Sequence, residues 1–527
     1  MKKILLALGQ SLMATVILLF SIEGLCFLAG VPQGASTFTE SVVIREHLST
    51  HKPADEFRIF VYGESTMHGA HYWPYSNPPI WLKAYLHDYL PGKSIRVINF
   101  ARMGAGSHFV HNKVRDTMAY KADLAILYLG HNAFLPDNRK KQVLKKESGA
   151  HFFFREIVRQ NRFLSLINRL VIRSRLEKEK AYEGEDSVEY KIIETSPGNF
   201  GPENSIPNNT PEYRENIEYS RSNVEKIINI LTRRHVPAIF CKPVGNLKDF
   251  EPFMSVHMKD LSKDELAHWN DLYEKGKKAQ AGGRADEAVD FFSRAYALDS
   301  TYADLDFRLG TLAFKKGDLE KAKHLFEEAR DYDTIRVRAS TDTLEYYQKF
   351  FAEGRIKYFF DSEKVFVSEA PGGILGEPII EDNVHFSIKA HALLGKALAM
   401  EIANHGWIAP TSEWHFERER PFEEMLQGLG VKDELLFSAY LKMVHYFGSQ
   451  YKNRIRYAQR ALAMQPENPK ALRHLAWSHW LKGDQDDALS IYAKLEMVDP
   501  AATNDVFQMR PEIKKAFEDN QTMQEIA

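Results

Sequence analysis

Short apolar runs alternate with amphipathic stretches in the first third of the chain. Residues 58–62, 95–99 and 124–129 have the apolar character of buried strands. Between the first two runs, residues 80–90 repeat their apolar positions with the period of a helix. Strands and helices that alternate in this way are typical of an α/β domain built on a mostly parallel sheet.

The same alternation resumes after a long interruption. We predict a helix over residues 212–234, a fourth strand over 238–242 and a fifth strand over 365–367. Residues 140–210 break the pattern, and their Pro, Gly and Asn residues favour an excursion over the surface. A basic, partly amphipathic helix predicted for 152–176 could pack on the edge of the domain or act as a lid or a membrane-surface element.

Four positions in the middle of the chain recur at an offset of 34 residues. The repeated residues are Gly276, Ala288, Phe292 and Ala295, which return as Gly310, Ala322, Phe326 and Ala329. This spacing resembles the tetratricopeptide repeat, in which small residues let two antiparallel helices pack closely. Pro466 and Pro500 mark a second array with the same spacing. We therefore predict repeat segments at residues 261–344 and 410–515, which either bind a protein partner or pack against the rest of the chain.

The N-terminus carries a long apolar stretch. Lys2 and Lys3 precede a run from residue 4 to about residue 30, which is longer than the core of a signal peptide and long enough to span a bilayer. Basic residues before such a helix favour a cytoplasmic N-terminus. We therefore expect residues 1–32 to form a transmembrane helix, a membrane anchor that leaves the bulk of the chain on the extracytoplasmic (periplasmic or cell-envelope) side. A cleaved signal peptide is the alternative.

Composition narrows the choice of function. The 527 residues carry a formal net charge of −2, with 44% hydrophobic and 27% charged residues, which is typical of a globular protein and does not indicate nucleic acid as a partner. Cys26 lies in the predicted anchor and Cys241 in a predicted strand, so we expect no disulfide between them. Close histidine pairs lack an evident third ligand, so we predict no metal site at His47 with His51, His68 with His71, or His108 with His111.

Two short motifs suggest ester chemistry. Ser65 stands at the end of the first predicted strand, and the run Asp382-Asn-Val-His385 precedes an apolar helix. A serine hydroxyl is a poor nucleophile at neutral pH and needs a base within hydrogen-bond reach. His385 can take that proton and return it to a leaving alcohol, while Asp382 can hold the imidazole in the required tautomer. We predict these three residues as nucleophile, base and orienter, with no cofactor required.

Four motifs, in this order, resemble the blocks of the SGNH (GDSL-type) hydrolase family. The blocks are Gly63-Glu64-Ser65-Thr66, residues 97–107 with Gly104, Gly130-His131-Asn132, and Asp382-Asn-Val-His385. Glu64 stands where the family usually has Asp, Thr66 where it usually has Leu, and Ala133 replaces the usual acid. The resemblance implies a three-layer α/β/α, flavodoxin-like domain formed by residues 50–260 and 345–407, with the first repeat segment inserted between them.

The resemblance also implies further site residues. The backbone N–H groups of Ser65 and Gly104 and the side-chain amide of Asn132 would form an oxyanion hole, with Gly106 as the neighbouring alternative to Gly104. Arg102 lies on a rim loop and is the best candidate there for an anionic substrate group. Residues 244–253 resemble a segment of SGNH proteins that carry tetratricopeptide repeats. Asn246 and Asp249 would then line the cleft, unless the segment is a capped turn leading into the repeats.

Two classes of function follow from these expectations. The first is a membrane-anchored, extracytoplasmic serine esterase or acyltransferase that works through an acyl-enzyme on an acylated small molecule or glycan. O-acetyl groups on an envelope polysaccharide are one candidate substrate. The second is a non-catalytic repeat scaffold or carbohydrate-binding protein in an envelope assembly. The presence of all three predicted catalytic residues favours the first class, whereas the altered first block and Ala133 keep the second open.

Overall fold

The computed structural model describes residues 52–147, 201–447 and 450–526, together with 13–14, 17–18, 20–29, 161–164 and 166–167. These residues divide into two compact units. The first unit contains residues 52–70, 77–147 and 201–419, and the second contains residues 71–76 and the helices from residue 420 onward.

The first unit is built on a five-stranded parallel sheet in the order β2-β1-β3-β4-β5. The strands are β1 Glu56–Gly63, β2 Ser94–Asn99, β3 Leu124–Tyr128, β4 Ala238–Cys241 and β5 Tyr358–Phe360. In the register of β1, Ile59 lies opposite Val97 of β2 on one side and Leu124 of β3 on the other. Six residues of β1 and all five of β3 are buried, as expected for parallel strands that are covered on both faces. The predicted α/β class and parallel sheet are confirmed.

Twelve α-helices lie within residues 52–70, 77–147 and 201–419 of the first unit. In chain order they are α1 Ser65–His68, α2 Pro78–Tyr89, α3 Ser107–Thr117, α4 Lys140–Glu147, α5 Pro211–Arg233, α6 Lys263–Ala281, α7 Ala285–Leu298, α8 Ala303–Lys316, α9 Leu319–Tyr332, α10 Thr341–Ala352, α11 Ser362–Phe366 and α12 Ile388–Asn404. Helices α3, α5 and α10 pack on the sheet face that carries Phe60, Tyr62 and Leu127. Helix α2 packs against β2 and against α12.

The fifth strand lies earlier in the chain than predicted. Residues 365–367 were expected to form it, but α11 covers most of them, and the Asp361 carboxylate caps this helix by accepting the Glu363 N–H at 3.2 Å. The strand is instead Tyr358–Phe360, which pairs with Ile239–Cys241 of β4. The prediction was wrong because an apolar run of three residues does not distinguish a strand from one turn of helix.

Helices α6 to α9 form two antiparallel pairs inserted between β4 and β5. Within each pair a glycine of the first helix lies under a phenylalanine ring of the second. A Cβ atom on Gly276 would lie 2.4 Å from the Phe292 ring, and one on Gly310 would lie 2.9 Å from the Phe326 ring. Leu247 joins Phe326 in one hydrophobic cluster, so the second pair packs directly on the sheet domain.

A buried acid lies inside this insertion. The carboxyl group of Asp306, on α8, is 0% exposed, and neither of its oxygens has a hydrogen-bond partner among the described residues. Burial, together with the nearby negative charge of Glu328, raises the pKa of Asp306 to about 9. The folded protein therefore keeps this carboxyl protonated at neutral pH.

We expect Asp306→Asn to stabilise the first unit by an amount that grows as the pH rises. In the unfolded chain Asp306 ionises near pH 3.8, whereas in the folded chain it holds its proton up to about pH 9, so the wild type loses stability between these values. At pH 8 the free energy of unfolding should rise by at least about 1 kcal/mol, with little change at pH 4. Urea unfolding at both pH values measures this difference. The exposed Asp290→Asn variant is the control, and an equal gain at both pH values would contradict the expectation.

The second unit is helical in its described residues. Its helices are α13 Phe422–Gly428, α14 Asp433–Tyr446, α15 Tyr451–Met464, α16 Pro469–Lys482, α17 Gln485–Val498, α18 Pro500–Met509 and α19 Pro511–Ile526. Its core includes Ala476 on α16, Ala488 and Tyr492 on α17, and Phe517 on α19. Small residues thus face large ones between successive helices, as in the first repeat segment.

Within the part of the chain that the structure describes, no helix is both long enough and apolar enough to cross a bilayer. Residues 1–12, 15–16, 19 and 30–32 of the predicted anchor lie outside the described residues, so the anchor stays a prediction. The basic helix predicted for 152–176 also lies outside them, except for residues 161–164 and 166–167.

Candidate active site

The strand order places the candidate site at the carboxyl ends of two neighbouring inner strands, β1 and β3. The chain passes from β1 to β2 on one side and then crosses to β3 on the other, so the carboxyl ends of β1 and β3 flank the point where the connections diverge. In open parallel sheets this point forms a crevice that binds ligands. Ser65 is the second residue after β1, and Asn132 lies in a short 3-10 helix, His131–Phe134, shortly after β3.

Ser65, His385 and Asp382 form a continuous chain of hydrogen bonds. The Oγ atom of Ser65 lies 2.7 Å from Nε2 of His385, and Nδ1 of His385 lies 2.5 Å from Oδ2 of Asp382. The exposed fractions of the three residues are 7%, 4% and 0%. When a serine, an imidazole and a carboxylate are hydrogen-bonded in this order, the imidazole can take the serine proton and the carboxylate stabilises the charge that results.

The Asp382 carboxylate is held by its own loop. Its Oδ1 atom accepts the backbone N–H groups of Val384 at 2.9 Å and of His385 at 2.7 Å, which leaves Oδ2 for the imidazole. The side chain of Asn383 donates to the Val337 carbonyl at 2.8 Å and fixes the loop from the outside. The carboxylate is therefore positioned before any substrate arrives.

The three predicted oxyanion donors lie on three neighbouring loops. Ser65 is the first residue of α1, so its N–H has no acceptor within the helix. No hydrogen bond of the described residues uses the Gly104 N–H. One hydrogen of the Asn132 amide is donated to the Ala105 carbonyl at 3.0 Å, and the amide carries a second.

Glycine is required at position 104 by its backbone conformation. Its φ angle is +65°, in the left-handed region that favours glycine, and a Cβ atom there would meet nothing within 4 Å. The crowding lies instead at Gly106, where a Cβ atom would approach the side chain of Asn138 to 2.5 Å. A side chain at position 106 would therefore collide with Asn138, whereas position 104 restricts only the backbone conformation.

Asn138 links two of these loops, and no signal in the sequence identified it. Its Nδ2 atom donates to the Gly104 carbonyl at 3.0 Å and to the Asn132 carbonyl at 2.9 Å. Asn138 follows Asn132 by six residues in a turn that has no repeated pattern, so only the folded loops show the contact. This amide holds the residues that carry two of the candidate oxyanion donors at a fixed separation.

We expect Asn138→Ala to lower the free energy of unfolding by about 2 kcal/mol, because two carbonyl oxygens in a largely buried environment lose their donor. The same change should lower kcat for an ester substrate by about 10-fold through displaced oxyanion donors. Urea unfolding and steady-state kinetics measure the two effects. Asn209→Ala is the matched control, since that exposed side chain donates to one surface carbonyl, Met258 O. Equal effects in the two variants would count against the assignment.

Two further histidines near the base stay uncharged. Burial, aided by the neighbouring His385, lowers the pKa of His68 to about 4. Burial likewise lowers the pKa of His131 to about 3. Because Nδ1 of His131 accepts the Ala339 N–H at 3.1 Å, its proton resides on Nε2. Neither imidazole adds a positive charge that would compete with protonation of His385.

The predicted substrate-contacting residues have different environments. The Arg102 guanidinium lies 4.2 Å from the centre of the Phe109 ring, on the loop that follows β2. Asn246 is 0% exposed, and its side chain donates to the Ile380 carbonyl at 3.1 Å and accepts the Asp249 N–H at 2.9 Å. Asn246 therefore braces the loop that leads to Asp382 and presents no surface to a substrate, which differs from its predicted position. The Asp249 carboxylate accepts the Glu377 N–H at 2.8 Å.

The segment between α9 and α10 connects the inserted repeats to the site loops. Buried Arg338 donates to the carbonyls of Asn246 at 2.8 Å and Phe250 at 3.2 Å, and its guanidinium lies 3.6 Å from the Asp333 carboxylate. With the Asn383 and His131 contacts described above, this segment touches three loops around the site. Sequence reasoning missed Arg338 because its partners lie about ninety residues away.

Comparison with known families identifies the repeats. Models of the tetratricopeptide repeat match residues 279–338 and residues 455–505. The prediction of tetratricopeptide repeats is confirmed, and the chain carries them in both units. No curated protein matches the chain at a significant level.

Solved structures show only distant likeness. A GDSL-like lipase from Bacteroides thetaiotaomicron VPI-5482 aligns over 70% of this chain and 98% of its own, with 8% identity and a TM-score of 0.30. The tetratricopeptide domain of P58(IPK) aligns over 67% and 89%, with 12% identity and a TM-score of 0.15. Yeast Tom70 aligns over 69% and 61%, with 11% identity and a TM-score of 0.15. Likeness at such low TM-scores carries no information about the function of this chain.

Proposed function

We propose that the protein is a serine esterase or acyltransferase of the SGNH type that works through an acyl-enzyme. The observation that carries this proposal is the hydrogen-bonded chain from Ser65 through His385 to Asp382. The five-stranded parallel sheet and its helices are consistent with the three-layer α/β/α domain of that family. No cofactor is needed for the chemistry.

The first half of the reaction forms the acyl-enzyme. His385 Nε2 takes the proton of Ser65 as Oγ attacks the carbonyl carbon of the ester. The carbonyl oxygen becomes an oxyanion, which the N–H groups of Ser65 and Gly104 and the Asn132 amide stabilise. When the intermediate collapses, the bond to the alcohol breaks, and His385 returns the proton to the leaving oxygen. Asp382 stabilises the imidazolium while it exists.

The second half transfers the acyl group away from Ser65. His385 removes a proton from a water molecule, or from the hydroxyl of an acceptor, and the new oxygen attacks the acyl carbon. The bond between that carbon and Ser65 Oγ then breaks, and His385 returns the proton to Oγ. Water gives a carboxylic acid and makes the protein an esterase, whereas a sugar hydroxyl gives a new ester and makes it an acyltransferase. The same three residues perform both reactions.

The substrate class and the location are part of the same proposal. If the apolar N-terminal run anchors the chain in a membrane with its bulk outside the cytoplasm, O-acetyl groups on an envelope polysaccharide are accessible substrates. Arg102, on the loop after β2, would then contact an anionic group of such a glycan.

A second candidate function is a repeat scaffold that binds protein partners. The tetratricopeptide repeats in both units favour it. The two functions are compatible, because repeats that hold a partner could place its acylated groups or acceptor hydroxyls near Ser65.

Labelling with a fluorophosphonate tests the catalytic proposal. The purified protein would be treated with the probe, together with Ser65→Ala and His385→Ala, and the label would be located by peptide mass spectrometry. We expect label on Ser65 that is lost in both variants. The control is Ser220→Ala, since this buried serine bonds the Tyr346 hydroxyl at 3.3 Å and should leave labelling unchanged. A folded wild type that takes up no label would overturn the esterase and favour the scaffold.

A further inference from the structure

Glu64, the residue immediately before Ser65, binds the loop that carries Asn132. Its side chain is almost completely buried. One carboxylate oxygen accepts the N–H groups of Gly130 at 3.0 Å and Asn132 at 3.4 Å, and the other accepts the N–H of His131 at 2.9 Å. Three consecutive backbone donors therefore converge on one side chain.

Burial has the larger effect on the pKa of Glu64 and raises it to about 7, whereas the three converging N–H donors lower this pKa and favour the charged carboxylate at this position. Gly130 has a φ angle of +140°, a conformation that favours glycine, and it turns the chain from β3 into the short helix His131–Phe134. The first N–H groups of such a helix have no partner within it, and a carboxylate satisfies several of them at once. An amide at position 64 would offer one oxygen and direct two N–H hydrogens toward the same donors.

We propose that Glu64 is a positioning residue, which sets the distance between the nucleophile and the oxyanion donors by tying the Asn132 loop to the residue next to Ser65. This inference rests on the proposed function. The connection is short, because one peptide bond joins Glu64 to Ser65 and the Glu64 carboxylate accepts the Asn132 N–H directly. Asn138 completes the arrangement by joining Asn132 to the Gly104 loop.

The position of the Asn132 loop affects how well the transition state is stabilised. Oxyanion donors stabilise charge only when they lie within hydrogen-bond distance of where it develops, and small displacements remove much of their effect. A loosened Asn132 loop would therefore slow the chemical step and leave ground-state binding largely unchanged. A residue that only stabilised the fold would change the melting temperature without this split between kcat and KM.

The test uses Glu64→Gln with p-nitrophenyl acetate as the substrate. We expect kcat to fall by about 10- to 100-fold with KM within about twofold of the wild type, since one oxyanion donor is misplaced and binding is kept. Glu64→Asp retains the carboxylate on a shorter side chain and should recover part of the loss. If Glu64→Gln does not fold, Glu64→Ala is measured in its place with the same expected split between kcat and KM, and wild-type kcat in whichever of the two variants folds would overturn the inference.

A double-mutant cycle with Asn132→Ala identifies the route of the effect. If Glu64 acts through Asn132, then adding Glu64→Gln to Asn132→Ala should cost less than about threefold in kcat. Independent, multiplicative losses would overturn the positioning role. The same experiment separates this inference from the proposed function. A wild type that neither hydrolyses p-nitrophenyl acetate nor reacts with a fluorophosphonate overturns the function, whereas an active wild type and an equally active Glu64→Gln variant overturn only the inference.

Discussion

Ser65→Ala should lower kcat for ester hydrolysis by about 10⁵-fold or more without unfolding the protein. The hydroxyl is the acceptor of the acyl group, and its oxygen lies 2.7 Å from His385 Nε2, the atom that takes its proton. The substitution removes one oxygen atom from a nearly buried position and creates no charge, so the free energy of unfolding should change by no more than about 1–2 kcal/mol. Steady-state kinetics and urea unfolding of the same preparation measure both quantities.

The single and double variants of Ser65 and His385 provide the control for this expectation. Residues that act as one unit are strongly non-additive, so Ser65→Ala combined with His385→Ala should be about as slow as either variant alone. Turnover near the wild-type rate in folded Ser65→Ala would remove Ser65 as the nucleophile. Multiplicative losses in the double variant would show that the two residues do not share a step.

Asp382→Asn should lower kcat by about 10⁴-fold while the fold is preserved. The amide is isosteric with the carboxylate, and its oxygen can still accept the N–H groups of Val384 and His385 that Oδ1 accepts now. The NH₂ group would then face Nδ1 of His385 and donate to it. The imidazole would hold its proton on Nε2, the atom that must receive the proton of Ser65.

An isosteric control and NMR of the imidazole distinguish this cause from general damage. The Asp361→Asn variant changes a helix-capping residue on α11, and because Asn and Asp are both good caps, kcat should stay within about twofold of the wild type. NMR of the His385 ring nitrogens in Asp382→Asn should show the altered tautomer directly. Wild-type kcat in Asp382→Asn would refute the orienting role of this carboxylate.

The inserted repeats are connected to the candidate site through the segment that follows α9. This segment contacts the loop of Asp382 through Val337 and the loop after β3 through Ala339, and Arg338 holds the loop after β4. The repeats therefore do not form a separate module that could be removed without effect. Deleting them would remove the support of the segment that holds these three loops.

The sequence by itself determined the elements with a strong local pattern. Continuous apolar runs predicted four of the five parallel strands, and the 34-residue recurrence of glycine, alanine and phenylalanine predicted the repeats. These predictions succeed because burial on both faces and close helix packing restrict residue types at regular spacings. The motifs around Ser65, Asp382 and His385 were also visible in the sequence, since the proposed chemistry needs those residue types.

Only the tertiary structure decided which residues hold the site together. Glu64 looked like a departure from a family motif, yet it accepts N–H groups from residues 130–132. Asn246 looked like a cleft residue, yet it is fully buried against the carbonyl of Ile380. These contacts join loops that are distant in the chain, and loops have no periodicity from which a partner can be read. Their hydrogen bonds are determined by where the sheet places the ends of its strands, so they become apparent only when the strands are assembled.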